Sequence, residues 1–430
     1  MLSISLFVVW SSLLASSLSL SPETPLHDKY LQDRSVNSSV TVPLPPSEDP
    51  WYTAPRHFQS AAPGTPLRIR EAPGDLTSVI QNCSAAFNIL YRTTDSHNQP
   101  AWAVTTVLIP NTGGGALLSY QTWYDSVDVD SSPSYALYSA SEPDIPWISS
   151  ALGLGWVVNV PDYEGPGPIA SSTEGVQSGY ATLDSVRAVR SVEFGLLPSN
   201  APYAMWGYSG GALASEWAAE LQVQHAPELN FSGAALGGLV PNITTVVEVV
   251  NSTPQAGLIA PILLGMMSQY PAALDFLISQ LNPSGPFNRT GFLAAENMTL
   301  DDAIAAYGSQ DVLAYFKDGA AILQEPLIRQ VMNAQGVMGD HGVPQMPIYA
   351  YKAIADEVSP IAQTDALVSK YCALGASIYY TRNSVGGHVA EIANGDPSAL
   401  EWLSSALDGT LHQTGCLIQN VTVNISSSVE

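Results

Sequence analysis

Apolar and polar positions alternate along the chain in two registers: short apolar runs of strand length, and stretches with apolar side chains at helical spacing. Ala101 to Ile109 and Ala116 to Trp123 read as strands, bounded by Pro110-Asn111 and Gly113-Gly114-Gly115. Gly155 to Val160 is a short apolar run ending at Pro161-Asp162, as a strand buried on both faces would be. Thr182 to Phe194 then carries Leu183, Val186, Val189 and Val192 at helical spacing. Ala201 to Tyr208 reads as the next strand, Gly210 to Val223 as a helix and Phe231 to Leu236 as a further strand. The alternation stops there for roughly a hundred residues. It resumes with a strand at Met346 to Tyr351, a helix near Ala366 to Leu374, a strand at Ser377 to Thr381 and a helix near Pro397 to Leu407.

Strand–helix alternation predicts an α/β fold with a mostly parallel central sheet flanked by helices. The interruption, from about 241 to 335, is too long for a loop in a compact domain and reads as an inserted helical cap. Its apolar stretches at Ala260 to Met267 and Ala272 to Leu281, punctuated by proline, suit that role. The expected organisation is a signal peptide at 1–20, a first part of the core with an N-terminal arm at 21–240, the cap at 241–335, and the rest of the core at 336–430.

The first twenty residues support the leader. Residues 2 to 20 are apolar or serine, without a charged side chain, and a polar stretch follows from Ser21. An uncleaved membrane anchor is the alternative; the interleaved serines and the lack of a basic flank argue against it. Nine Asn-x-Ser/Thr sites, at Asn37, Asn82, Asn230, Asn242, Asn251, Asn288, Asn297, Asn420 and Asn424, point the same way, to a secreted, extracellular glycoprotein. A formal charge of −24 with only 14 Lys and Arg leaves no basic stripe for phosphates, so nucleic acid is not the partner. Of the three cysteines, Cys372 and Cys416 lie close enough in the C-terminal part to staple it, leaving Cys83 over.

Within this frame, Gly207-Tyr208-Ser209-Gly210-Gly211 stands between a predicted strand and a predicted helix. Gly-x-Ser-x-Gly alone is a weak pattern; at a strand-to-helix turn it becomes a nucleophile elbow, exposing the serine hydroxyl. The Gly210 N–H, at a helix N-terminus, can face a developing oxyanion. Serine needs a base, and in the α/β-hydrolase fold the order is Ser, then Asp or Glu, then His. Four histidines follow: His225 lies along the nucleophile helix, His341 precedes the best acid and His412 lies past the last helix. His388, in the flexible loop expected after the strand at 377–381, is the candidate base. Asp356 and Glu357, just past the strand at 346–351, are both candidates for the acid that orients it. Asp125, Asp128 and Asp130 lack the glycine and glutamate of a calcium loop. No Cys/His set has zinc spacing, and no phosphate loop with its lysine is present.

Further strings carry a resemblance. Asp49-Pro50-Trp51-Tyr52-Thr53-Ala54-Pro55, Tyr91-Arg92-Thr93-Thr94, Ser119 to Ser126, Pro133-Ser134-Tyr135, Asp162-Tyr163-Glu164-Gly165 and Asp184-Ser185-Val186-Arg187-Ala188 resemble the fungal secretory lipase family, the yeast lipase A group, over about Asp49 to Cys416. The resemblance implies Ser209 as nucleophile, Asp356 rather than Glu357 as acid, His388 as base, and the backbone N–H groups of Asp125 and Gly210 as the oxyanion hole. It implies a Cys372–Cys416 bridge and a C-terminal flap over an acyl tunnel. A second bridge usual in relatives is missing both halves: Ser131 or Ser132 stands at one, and the partner near Gly291-Phe292 is absent. The function implied is a triacylglycerol lipase acting on acylglycerols at a lipid–water interface, with no cofactor, no metal and no obligate protein partner. A secreted esterase of other esters or a serine peptidase on the same fold, or a non-catalytic surface protein, are the alternatives.

Overall fold

The computed structural model describes residues 43–165, 167, 170–192 and 197–425; the leader expected at 1–20 and the sequon at Asn37 lie outside them. Among the described residues ten strands form one sheet: β1 (Pro66–Glu71), β2 (Cys83–Thr94), β3 (Pro100–Pro110), β4 (Leu117–Gln121), β5 (Val157–Pro161), β6 (Tyr203–Tyr208), β7 (Gly233–Gly237), β8 (Ile348–Ala353), β9 (Ile378–Asn383) and β10 (Cys416–Val421). Their order is β1-β2-β3-β5-β4-β6-β7-β8-β9-β10. The pairs β1–β2, β2–β3 and β3–β5 are antiparallel, and every pair from β5–β4 onward is parallel.

The apolar runs are continuous because both faces of the sheet are covered. Neighbouring side chains on one strand enter different cores: Leu117, Val157, Met205, Ala234 and Ala350 go to one, Leu118, Val158, Trp206, Ala235 and Tyr351 to the other. The first core packs under helices α2 (Gly175–Ser191) and α3 (Gly210–His225), the second under α1 (Ile145–Gly153) and the helix that closes the fold. Between β7 and β8 the chain forms α4 (Ile243–Val250), α5 (Ile259–Met267), α6 (Pro271–Gln280), α7 (Leu300–Tyr307) and α8 (Pro326–Gln335). The ends of this excursion are pinned together: Ile243 N–H donates to Gly336 O at 2.9 Å and Met338 N–H to Pro241 O at 3.0 Å. α5 seats on the core, where Gly265 lets the backbone of Ser172 approach.

Three elements differ from their sequence expectation. α2 begins at Gly175 rather than Thr182, because its first turn is buried through glycine and polar residues that carry no apolar period. α9 (Ile361–Ala373) likewise starts five residues before Ala366. The last helix, α10, runs His388–Leu407, so His388 is not in a flexible loop but opens a 20-residue helix with Gly387 at its N-cap. Pro397, which reads as a helix start because proline suits a first turn, stands inside α10 instead. β10 is an exposed edge strand beside β9, tied to α9 by the Cys372–Cys416 disulfide. Cys83 is a buried thiol whose Sγ donates to Ala85 O. No helix among the described residues is long and apolar enough to cross a membrane.

Candidate active site

β6 ends in Gly207-Tyr208 and α3 starts at Gly210, so the chain must reverse at Ser209 in a single residue. It does so at φ 50°, ψ −118°, a conformation that costs a non-glycine residue of the order of 1–3 kcal/mol. The turn is held on both sides. Ser209 N–H donates to Gly237 O at 2.9 Å, and Ser209 O accepts from Leu213 N–H at 2.9 Å inside α3. Gly211 is required by close packing, since a Cβ there would run into the Gln121 carbonyl. Ser209 is half-buried.

From the carboxyl ends of β8 and β9 come the other two groups. His388 Nε2 stands 2.8 Å from Ser209 Oγ, and His388 Nδ1 stands 2.7 Å from Asp356 Oδ2. The Oδ1 of Asp356 accepts the N–H groups of Val358 at 2.9 Å and Ser359 at 2.8 Å. Asp356 and His388 are 7 % and 6 % exposed. Burial alone would raise the Asp356 carboxyl; the hydrogen bond and charge of His388, the Lys352 cation and the Ser359 N–H reverse this and hold it well below the usual carboxylate range. Glu357 does not replace Asp356: its Oε2 accepts the backbone N–H of His388 at 2.8 Å, anchoring the start of α10. The Tyr208 hydroxyl donates to the His388 carbonyl.

Asp125 lies after β4 at φ 37°, with its carboxyl against Gly210, where any Cβ would meet it. Burial pushes this carboxyl up to about 6, although the nearby His388 draws it down. The loop carrying it is anchored by Tyr163 Oη to Thr122 O at 2.6 Å and by Ser126 Oγ to Met298 O, in the β7–β8 excursion, at 2.8 Å. Asp128 and Asp130 serve the backbone instead: Asp128 Oδ1 accepts Asp130 N–H, and Asp130 accepts from Ser47. The remaining candidate histidines stay apart: His225 Nε2 pairs with Asp184 at 3.0 Å and His341 faces Glu220 at 3.3 Å. Among the described residues no cluster of His, Cys, Asp and Glu has the form of a metal site.

Sequence reasoning missed Lys352, whose Nζ lies 2.9 Å from Asp356 Oδ2 with both side chains fully buried. Its signal was a single cation inside a buried strand, four residues before an acid. It also missed the Glu357 and Tyr208 contacts, which no spacing announces.

A hydroxyl at a strained turn, an imidazole beside it and a buried carboxylate behind that imidazole can activate an oxygen nucleophile without a metal. The fold and this geometry define the class, an α/β-hydrolase. The family described as secretory lipase matches residues 133–415, more than half of the chain. The chain is 52% identical to the trichothecene C-3 esterase of Fusarium sporotrichioides, over 91% of each chain. It is 36% identical to lipase A of Arthroderma benhamiae, over 89% of this chain and 84% of that one. The crystal structure of Candida antarctica lipase A in its closed state is similar, with TM-score 0.79 and 28% identity over 87% of this chain and 89% of that one. The chain therefore belongs to the secretory lipase family, and it is a carboxylic ester hydrolase of the lipase and esterase type.

Proposed function

We propose that Ser209, His388 and Asp356 are the catalytic triad of this hydrolase and cleave the ester through an acyl-enzyme. The observation that carries the reading is the continuous hydrogen-bonded series from Asp356 Oδ2 through both ring nitrogens of His388 to Ser209 Oγ. Ser209 Oγ attacks the ester carbonyl as His388 Nε2 takes its proton. Asp356 holds the ring in the tautomer that leaves Nε2 free and stabilises the imidazolium. The N–H groups of Asp125 and Gly210 receive the oxyanion, each contributing about 3–4 kcal/mol. His388 then protonates the leaving alcohol, and water, deprotonated by the same imidazole, releases the acid. Ser209→Ala tests this: hydrolysis of a p-nitrophenyl ester should fall by about 10⁴-fold or more. Activity kept in that variant would contradict it.

The substrate we infer is an acylglycerol met at a lipid–water interface outside the cell, in keeping with the family's secretory lipases and the apolar first twenty residues. A second reading has its own observation. The identity to a trichothecene C-3 esterase, 52%, exceeds that to lipase A, 36%, and favours a C-3 ester of a trichothecene as the substrate. Comparing kcat/KM for tributyrin, a long-chain triacylglycerol and a trichothecene C-3 ester separates the two; preference for the last would replace the lipase reading.

A further inference from the structure

We propose that Lys352 is a positioning residue of the ester-cleaving relay, its ammonium aiming the Asp356 carboxylate at His388 and setting how far into acid the enzyme keeps its activity. The inference rests on the relay proposed above and adds a group to it. Lys352 belongs to β8, a strand buried along its whole length. A lysine in such a place is retained only when its charge is paired and its donors are used. The charge is paired, and two of the three N–H groups have acceptors. Nζ lies 2.9 Å from Asp356 Oδ2 and donates to Leu239 O at 2.6 Å. That carbonyl also accepts from Ser359 Oγ at 3.1 Å and from Thr364 Oγ1 at 3.4 Å. The carboxylate is thus fixed on four sides, by the His388 ring, the ammonium and two backbone N–H groups.

Lys352 also joins the two halves of the site. Leu239 follows β7, whose last residue, Gly237, accepts the Ser209 N–H. One ammonium therefore bridges the segment that braces the nucleophile turn and the turn that carries the acid. No other cation touches the pair among the described residues. The charged and titratable groups around it are Lys352 and Glu357 from β8 and its turn, Asp365 from α9, Glu391 and Asp396 from α10, Asp125 from the β4 loop and Tyr208 from β6. Asp365 already carries Arg382, the cross-strand neighbour of Lys352 on β9, at 3.1 Å. The other groups are acidic, so the Lys352 ammonium is the counterweight in contact with the pair.

Asp356 and His388 share one hydrogen bond, so the acid limb of kcat/KM reports the pair and not either member. Removing a positive charge from beside the pair raises its affinity for protons, and the limb moves up. Lys352→Met keeps the length of the side chain, Lys352→Gln keeps a donor without charge, and Lys352→Arg keeps the charge. With p-nitrophenyl butyrate, both neutral variants should move the acid limb up by about one pH unit, with KM nearly unchanged. Lys352→Arg should hold it near the wild-type position. Since either neutral variant suffices, failure of one to fold leaves the test intact. An acid limb that coincides with wild type in a folded neutral variant, or one that moves as far in Lys352→Arg, overturns the proposal. Asp125 and Glu391 remain in every variant, so a difference between variants isolates Lys352. Ser209→Ala in the same assay separates the two claims. If it is inactive while the neutral variants keep the wild-type limb, only the role of Lys352 falls; if it is active, the relay falls.

Discussion

Ser209 adopts its strained backbone conformation because the residues beside it leave no other path. Gly211 accepts the Gln121 carbonyl against its Cα, and Gly210 leaves room for the Asp125 carboxyl. Gly210→Ala should therefore fold but push Asp125 out of place, lowering kcat by about 10²-fold with a smaller change in KM, as expected when an oxyanion donor is displaced. An unchanged kcat would mean that Asp125 plays no part. Asp356→Asn should cost about 10⁴-fold in kcat, because the amide favours the wrong imidazole tautomer while conserving shape. Steady-state kinetics on a soluble ester checks both. At this scale the three side chains that the structure brings together were legible because each stands at a constrained place: a serine in Gly207-Tyr208-Ser209-Gly210-Gly211, a histidine after Gly386-Gly387, an acid after an apolar strand. The contact of Glu357 with the His388 N–H runs across the fold, and Lys352, although four residues before Asp356, completes its contacts on Leu239 O, also across the fold, so neither was legible from the sequence.

Among the elements, the central parallel strands were the most legible. Their apolar runs are bounded by Pro, Gly and Asn, and period-two burial on two covered faces leaves little alternative. Helix starts were the least legible. The first turns of α2 and α10 are buried through Gly, Ser, Gln, His and Glu, so hydropathy gave them no period. β2 is buried at nearly every position, which erases the alternation that would have marked it, and β10 is exposed along its length, which does the same from the other side. The Cys372–Cys416 disulfide adds a covalent tether to the ladder that holds β10 against β9. Replacing both cysteines by serine should lower stability by roughly 2–4 kcal/mol in a denaturant titration while leaving kcat near wild type. A large loss of kcat would instead tie β10 to the site.

Across the whole molecule, the charge of −24 is partly hidden at neutral pH. Burial pushes the Asp144 and Asp162 carboxyls up to about 7, Glu391 up to about 7 and Glu174 up to about 8. Each keeps its proton in the fold at a pH where the unfolded chain has lost it. The folded chain therefore binds more protons from about pH 4 to pH 8, and stability falls as pH rises through that window. Asp356 acts in the opposite sense: its depressed carboxyl adds stability above the ordinary carboxylate value and loses it only as the pH falls well into acid. Thermal unfolding should give a higher Tm near pH 5 than at pH 8; the reverse order would mean that these carboxyls are ionised in the fold.

The central claim is that Ser209 is the oxygen that becomes acylated. A fluorophosphonate, which reacts only with an activated hydroxyl, tests it without regard to which ester is natural. Reacted with the purified protein and mapped by peptide mass spectrometry, it should leave one adduct, on the peptide containing Ser209, and none after His388→Ala. An adduct on another residue, or an unlabelled protein that still cleaves esters, would contradict the account.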